Sequence, residues 1–216
     1  KKLFKHKLSF IYIANPNQPS GKCINQETIL NIVKIAQRKN IFTIIDEAYI
    51  DFGGESAVSL VKDYPNLLVV QTMSKSRSLA RLRVGYAIGQ PELIEALIRV
   101  KDSFNSYPVD SLASAAGIAA MKDKAYFKDT CQAVIDERNK VVTGLQELGF
   151  DVLPSAANFV FASHKQAKAA DIAAGLRKEG IIVRHFNKPR IEQFLRISIG
   201  TATENQQLLS VMDTLV

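Results

Sequence analysis

Cysteine is scarce in this 216-residue chain. Cys23 and Cys131 lie far apart, without metal-ligand spacing, which excludes a disulfide framework and fits a reducing, cytoplasmic setting. Histidine is scarce too: His6, His164 and His185 do not cluster with acids or cysteines, so no metal site is expected. No apolar run approaches the roughly 18 residues that a membrane-spanning helix needs. There is no signal-peptide pattern, no internal repeat and no low-complexity segment. What remains is an ordinary globular composition, 47% hydrophobic and 23% charged. The length suits one large domain or two modest ones.

The net charge of +7 raises the question of nucleic acid. Part of the excess is a basic start (Lys1, Lys2, Lys5, His6, Lys7), and the rest is scattered along helices at solvent-facing spacing. The aromatic interleaving of a nucleic-acid surface is missing, so a solvated face is expected, with no nucleic-acid or membrane partner. A positive balance also suits anionic small molecules.

Hydrophobic spacing predicts strands at residues 8–14, 41–45, 67–70 and 84–88, with helices over 27–39 and from Pro91 to about Lys101. This alternation argues for an α/β fold with a mostly parallel sheet. The run Ile41-Phe42-Thr43-Ile44-Ile45 lacks period-two alternation, which implies burial on both faces. A small-residue helix is expected over 109–121 and a long amphipathic one over about 125–148, ended by Gly149. The boundary is placed at Lys122-Asp123-Lys124, giving domains 1–122 and 123–216. The second reads as a small α+β domain: strands at 158–162, 180–184 and 194–199, helices at 167–178 and 203–215. Thr203 is expected to cap the last helix.

Three segments carry chemistry. Lys75 follows the strand Leu67-Leu68-Val69-Val70, where a lysine amine can form a Schiff base with an aldehyde, as in pyridoxal phosphate chemistry. Thr72 and Ser74 hydroxyls and the Arg83 guanidinium are suited to a phosphate. The same residues also make an ordinary exposed basic turn. Asp46 ends a second strand, with Tyr49 three residues on. A carboxylate there lies on the rim where open α/β sheets bind ligands. A stiff turn, Asn15-Pro16-Asn17-Gln18-Pro19-Ser20-Gly21, follows the first strand.

In this order, these motifs resemble the fold-type I pyridoxal-phosphate aminotransferases, and within them the histidinol-phosphate aminotransferase branch. The matching segments are Asn15–Gly21, Asp46–Tyr49, Ser74-Lys75 to Arg83, and Leu195-Arg196-Ile197-Ser198-Ile199-Gly200. The resemblance implies a large cofactor domain, incomplete at its N-terminus, and a small C-terminal domain. It implies pyridoxal phosphate held by a Lys75 Schiff base, with Asp46 at the pyridinium nitrogen and Tyr49 and Gln18 at the ring's phenolic oxygen. Thr72, Ser74 and Arg83 would hold the phosphate, and Arg196, with Arg184 a weaker candidate, the substrate's anionic group. The implied reaction is transamination between histidinol phosphate and 2-oxoglutarate in histidine biosynthesis, by a homodimer.

Three positions depart from the family pattern. Gln18 stands where the family has Asn, and Arg81 where it has Gly, which bears on the turn's backbone and on the aim of Arg83. Gln207 replaces a phosphate-contacting Arg of the nearest members. Alternatives are an aromatic aminotransferase, a threonine-phosphate decarboxylase of the same branch, or the aminotransferase-like effector domain of a transcription regulator. Family members are longer and begin with a segment that adds strands, phosphate-binding amides and an aromatic residue stacked on the cofactor. Its lack implies either a truncated chain or a shortened homologue.

Overall fold

The computed structural model describes residues 8–105 and 107–216; the basic run from Lys1 to Lys7 lies outside them. The chain folds into two compact units. The first comprises the segment ending at Pro16 together with 23–50 and 54–127, and the second comprises 17–22, 51–53 and 128–216. In the first, β1 (Phe10–Ala14), β2 (Phe42–Asp46), β3 (Leu67–Thr72) and β4 (Gly85–Ile88) form one sheet in that order. The first three strands are parallel and β4 runs antiparallel to β3. The connection from Thr72 to Gly85 contains only a short 3-10 turn, Ala80–Leu82. It lacks the helix that a parallel crossover requires, so the chain must return the other way.

Helix α1 (Gln26–Gln37) covers one face of this sheet. Asn25 caps it, its side chain accepting from the Thr28 N–H. Ile29 and Val33 pack with Ile45, Leu67, Val69, Ala57 and Val61 in a closed core cluster. Complete burial of one such aliphatic side chain is worth about 1.5–3 kcal/mol. Two-sided burial of β2 is not what the structure shows. Its burial alternates, and Phe42, Phe10 and Tyr12 are exposed on the face opposite α1. Two further helices, α2 (Pro91–Phe104) and α3 (Ser111–Lys122), complete this unit; Pro91 sits in the first turn of α2 and Asp110 caps α3.

Helix α4 (Lys124–Glu147) leads into the second unit. There β5 (Phe150–Val152), β6 (Phe159–His164), β7 (Arg184–His185) and β8 (Leu195–Ser198) form an antiparallel sheet in the order β5-β6-β8-β7. Val141 and Leu145 of α4 pack on the sheet with residues from α5 (Ala169–Lys178) and α6 (Ala202–Asp213): Ile172, Leu176, Leu208 and Met212. The strand expected at 180–184 is only the pair Arg184–His185, because Ile181 and Val183 pack against the core without joining the ladder. Thr203 does not cap α6. Thr201 does, in a reciprocal capping box with Glu204.

Arg138, in the middle of α4, is buried and was not legible as such. It donates to the Phe52 and Ala157 carbonyls, both at 2.8 Å. Gly21 packs so closely on Ser155 that a Cβ there would lie 2.3 Å from its Oγ, and Gly21 holds φ at +74°. Its carbonyl accepts from the Ala156 N–H at 2.9 Å.

Candidate active site

One face of the first sheet carries the candidate chemistry. The register pairs Ala14 with Asp46 and Asp46 with Val70, so strand ends β1 to β3 come level at one rim. Alternation along each strand then aims Asp46 and Thr72 to the same side. A groove of about 420 Å³ opens there, lined by Asp46, Ala48, Thr72, Ser74, Lys75, Arg83 and Gly85 among others. Five of the expected site residues are thereby brought together. Tyr49 is buried beside them, with the Lys75 Nζ 5.3 Å from its ring centroid.

Each member is held by local geometry. Asp46 Oδ1 accepts from the Ala48 N–H at 3.0 Å, and Oδ2 from the Tyr12 hydroxyl. That bond, then burial and the negative charge of Asp46, pushes the Tyr12 pKa up to about 12. The Thr72 hydroxyl gives its proton to the Val84 carbonyl at 3.3 Å and accepts from the Ser74 N–H at 3.1 Å. It therefore braces the start of the lysine turn. Arg83 has a left-handed backbone, φ 54°. Its guanidinium donates to the Ala80 carbonyl at 2.8 Å, closing its own turn.

Behind the rim, Glu47 is 2% exposed. Its carboxylate accepts from the Ala57 N–H (2.6 Å), the Ser56 hydroxyl (2.6 Å) and the Gln71 amide (2.7 Å). Gln71 in turn accepts from the Tyr86 hydroxyl at 2.8 Å. This network joins β2, β3, β4 and the 56–57 loop. Asn15 fastens the exit of β1, exchanging hydrogen bonds with the Ile24 backbone at 2.7 and 3.2 Å.

Gln18, Arg184 and Arg196 belong to the second unit. Gln18 is exposed. Arg184 and Arg196 face each other across the β7–β8 register and line a cavity of about 520 Å³ with Arg177, His185 and Ser198. β8 is an inner strand, so Arg196 is not an edge residue. Its guanidinium lies 5.3 Å over the Phe159 ring, and its buried Nε has no hydrogen-bond partner among the described residues.

A family model for aminotransferases of class I and II matches residues 1–212. The chain belongs to this family. It is 58% identical over 199 residues to a Pseudomonas fluorescens protein named histidinol-phosphate aminotransferase 1, covering 92% of this chain and 56% of that one. A Pseudomonas aeruginosa protein of the same name is 56% identical over 202 residues, 94% of this chain and 57% of its own length. Thus the chain spans little more than half the length of these curated relatives. Among solved structures, the histidinol-phosphate aminotransferase of Clostridium acetobutylicum superposes with a TM-score of 0.88 at 29% identity, covering 95% of this chain and 63% of that one. The Sinorhizobium meliloti enzyme, solved with pyridoxal-5'-phosphate, gives 0.83 at 26% identity, with 96% and 58% covered. The α/β fold with its mostly parallel first sheet is that of these pyridoxal-phosphate aminotransferases.

Within an aminotransferase frame, Arg81 is not the strained residue of its turn. It lies inside the 3-10 turn, and the left-handed angle falls on Arg83. Three residues of the site region were missed from sequence. Tyr12 shares a face with Asp46 by simple alternation, but only the β1–β2 register shows that they meet. Glu47 was only an unassigned member of the Asp46–Tyr49 segment, and Asn15 a turn residue. Among the described residues no group of His, Cys, Asp or Glu is arranged to hold a metal ion, and no helix is long and apolar enough to cross a membrane.

Proposed function

We propose that the complete protein is a pyridoxal-phosphate aminotransferase acting on histidinol phosphate and 2-oxoglutarate. The observation that carries this is the groove, which gathers a carboxylate, an amine, two hydroxyls and a guanidinium at one sheet rim. The donor set fits pyridoxal phosphate: an acid for a protonated ring nitrogen, an amine for an aldehyde, and hydroxyls with a guanidinium for a phosphate. The names of relatives 56–58% identical support the substrate.

In this reading Lys75 would hold the cofactor through its aldehyde carbon, and its free amine would carry the proton from the substrate Cα to that carbon, the net shift that a transamination needs. Asp46 keeps the proton on the ring nitrogen, its carboxylate favoured by the opposite charge. Tyr49 and Gln18 serve the phenolic oxygen. Ser74 and Arg83 hold the phosphate, and Thr72 joins them by turning its hydroxyl away from Val84. The bound cofactor supplies an electron sink for the charge left when the Cα proton departs. Arg196 and Arg184 bind the substrate's anionic group. A cytoplasmic homodimer is part of the proposal. Exposed apolar residues on α2 and α3, including Leu97, Ile98, Phe104, Leu112 and Ile118, supply surface for a second copy.

The test is borohydride reduction of the complete polypeptide with pyridoxal phosphate, peptide mapping, and turnover with histidinol phosphate. The expected label is on Lys75, and Lys75→Ala should lose both label and turnover. A label on another lysine, or turnover that survives in Lys75→Ala, overturns the reading.

A further inference from the structure

Resting on the reading of Asp46 as the acid at the ring nitrogen, we propose that Tyr12 is a positioning residue for the Asp46 carboxylate. The two oxygens of Asp46 are held separately, Oδ1 by the Ala48 N–H and Oδ2 by the Tyr12 hydroxyl. One donor would leave the carboxylate free to turn about its last bond, a broad torsion with little intrinsic preference. Two donors on different oxygens fix its plane, and with it the direction of the lone pairs left for a ligand. The pairing is built into the sheet. Tyr12 precedes Ala14, the register partner of Asp46, by one alternation, so the phenol reaches the acid diagonally across parallel strands.

Among the described residues, the strand neighbours of Tyr12 offer its hydroxyl no other side-chain acceptor. The strand neighbours on that face are Phe10, Phe42, Ile44, Leu68 and Val70, all apolar. A donated phenol proton also spreads the charge of the carboxylate, tempering its pull on a ring proton. The interaction leaves a signature in Tyr12 itself, whose pKa is pushed up to about 12, chiefly by its hydrogen bond to Asp46.

Two measurements on the complete polypeptide test this. The first is a phenolate absorbance titration without cofactor. One tyrosine should titrate near pH 12; that phase should vanish in Tyr12→Phe and return to the ordinary tyrosine range in Asp46→Ala. If Asp46→Ala leaves the titration unmoved, the pairing is wrong. The second is the dissociation constant of pyridoxal phosphate in a double-mutant cycle, with folding checked by circular dichroism. Tyr12→Phe should weaken binding roughly tenfold in the parent and have no further effect in the Asp46→Ala background. An equal loss in both backgrounds, or none in the parent, overturns the positioning role. If the parent protein takes no label on Lys75, the functional reading has failed, and the titration alone decides whether Tyr12 holds Asp46.

Discussion

Replacing Glu47 with Ala should destabilise the first unit by about 3 kcal/mol. The carboxylate is 2% exposed and accepts from the Ala57 N–H, the Ser56 hydroxyl and the Gln71 amide at 2.6–2.7 Å. Hydrogen bonds to a charged group are each worth about 1.5–3 kcal/mol. Burying the charge costs several kcal/mol, so the gross sum overstates the loss. The alanine variant relieves that cost but strands three donors. Ser56 and Gln71 are partly exposed and can recruit water, whereas the Ala57 N–H is enclosed and cannot. Glu47→Gln should cost less, about 2 kcal/mol, since one oxygen still accepts while its new NH2 opposes a donor. Urea unfolding followed by circular dichroism reads this as a lower midpoint, by about 1 M or more at a typical slope of 1–3 kcal/mol/M. A loss under about 0.5 kcal/mol in Glu47→Ala, the range of ordinary surface substitutions, would refute the network as a source of stability.

Gly21→Ala should cost about 2–4 kcal/mol, because a left-handed backbone angle meets a Cβ that collides with Ser155; an unchanged thermal midpoint contradicts this. Thr201→Ala should cost about 1 kcal/mol through loss of the cap on α6, measured by urea unfolding. Hydrogen bonds from the Thr201 N–H and then its hydroxyl hold the Glu204 carboxyl below its ordinary value. That contribution is complete above the ordinary carboxylate range and lost as pH falls through the lowered value, so amide protection factors in the first turn of α6 should fall on acidification. Arg196→Ala should lower kcat/KM for histidinol phosphate by an amount equivalent to about 3–5 kcal/mol, with Arg196→Lys recovering part of it. Unchanged kcat/KM in the alanine variant with an intact fold makes Arg196 structural.

The groove residues Asp46, Thr72 and Lys75 could be singled out because each sits at or just beyond a strand end, and strand ends are marked by apolar runs that stop. All three are found this way without any knowledge of pairing. Tyr12 and Glu47 were not legible, because their partners are set by the β1–β2 register and by a loop that returns to β2. Arg138 looked like a solvated charge on a helix, and only the carbonyls of Phe52 and Ala157 explain why it can be buried. The capping box was within reach: Glu204 follows Thr201 by three residues and Thr203 by one, and only the first spacing lets the side chains reciprocate. β4 read correctly as a strand, but its direction depends on the short connection that precedes it. β5 is three residues long and left no periodic signal.

Arg138 and Gly21 also set a timetable for synthesis. The loops 17–22 and 51–53 belong to the second unit although the chain makes them early. Phe52 must wait for Arg138, 86 residues later, before its carbonyl is taken. At about 5–20 residues per second, the ribosome imposes a delay of about 4–17 seconds. During it the nascent first unit carries two loops whose partners do not yet exist. The second unit is therefore not a detachable C-terminal piece. A chain begun at Lys128 would lack the backbone that Arg138 and Ala156 bind, and a stalled nascent chain ending before residue 138 would leave both loops open to protease.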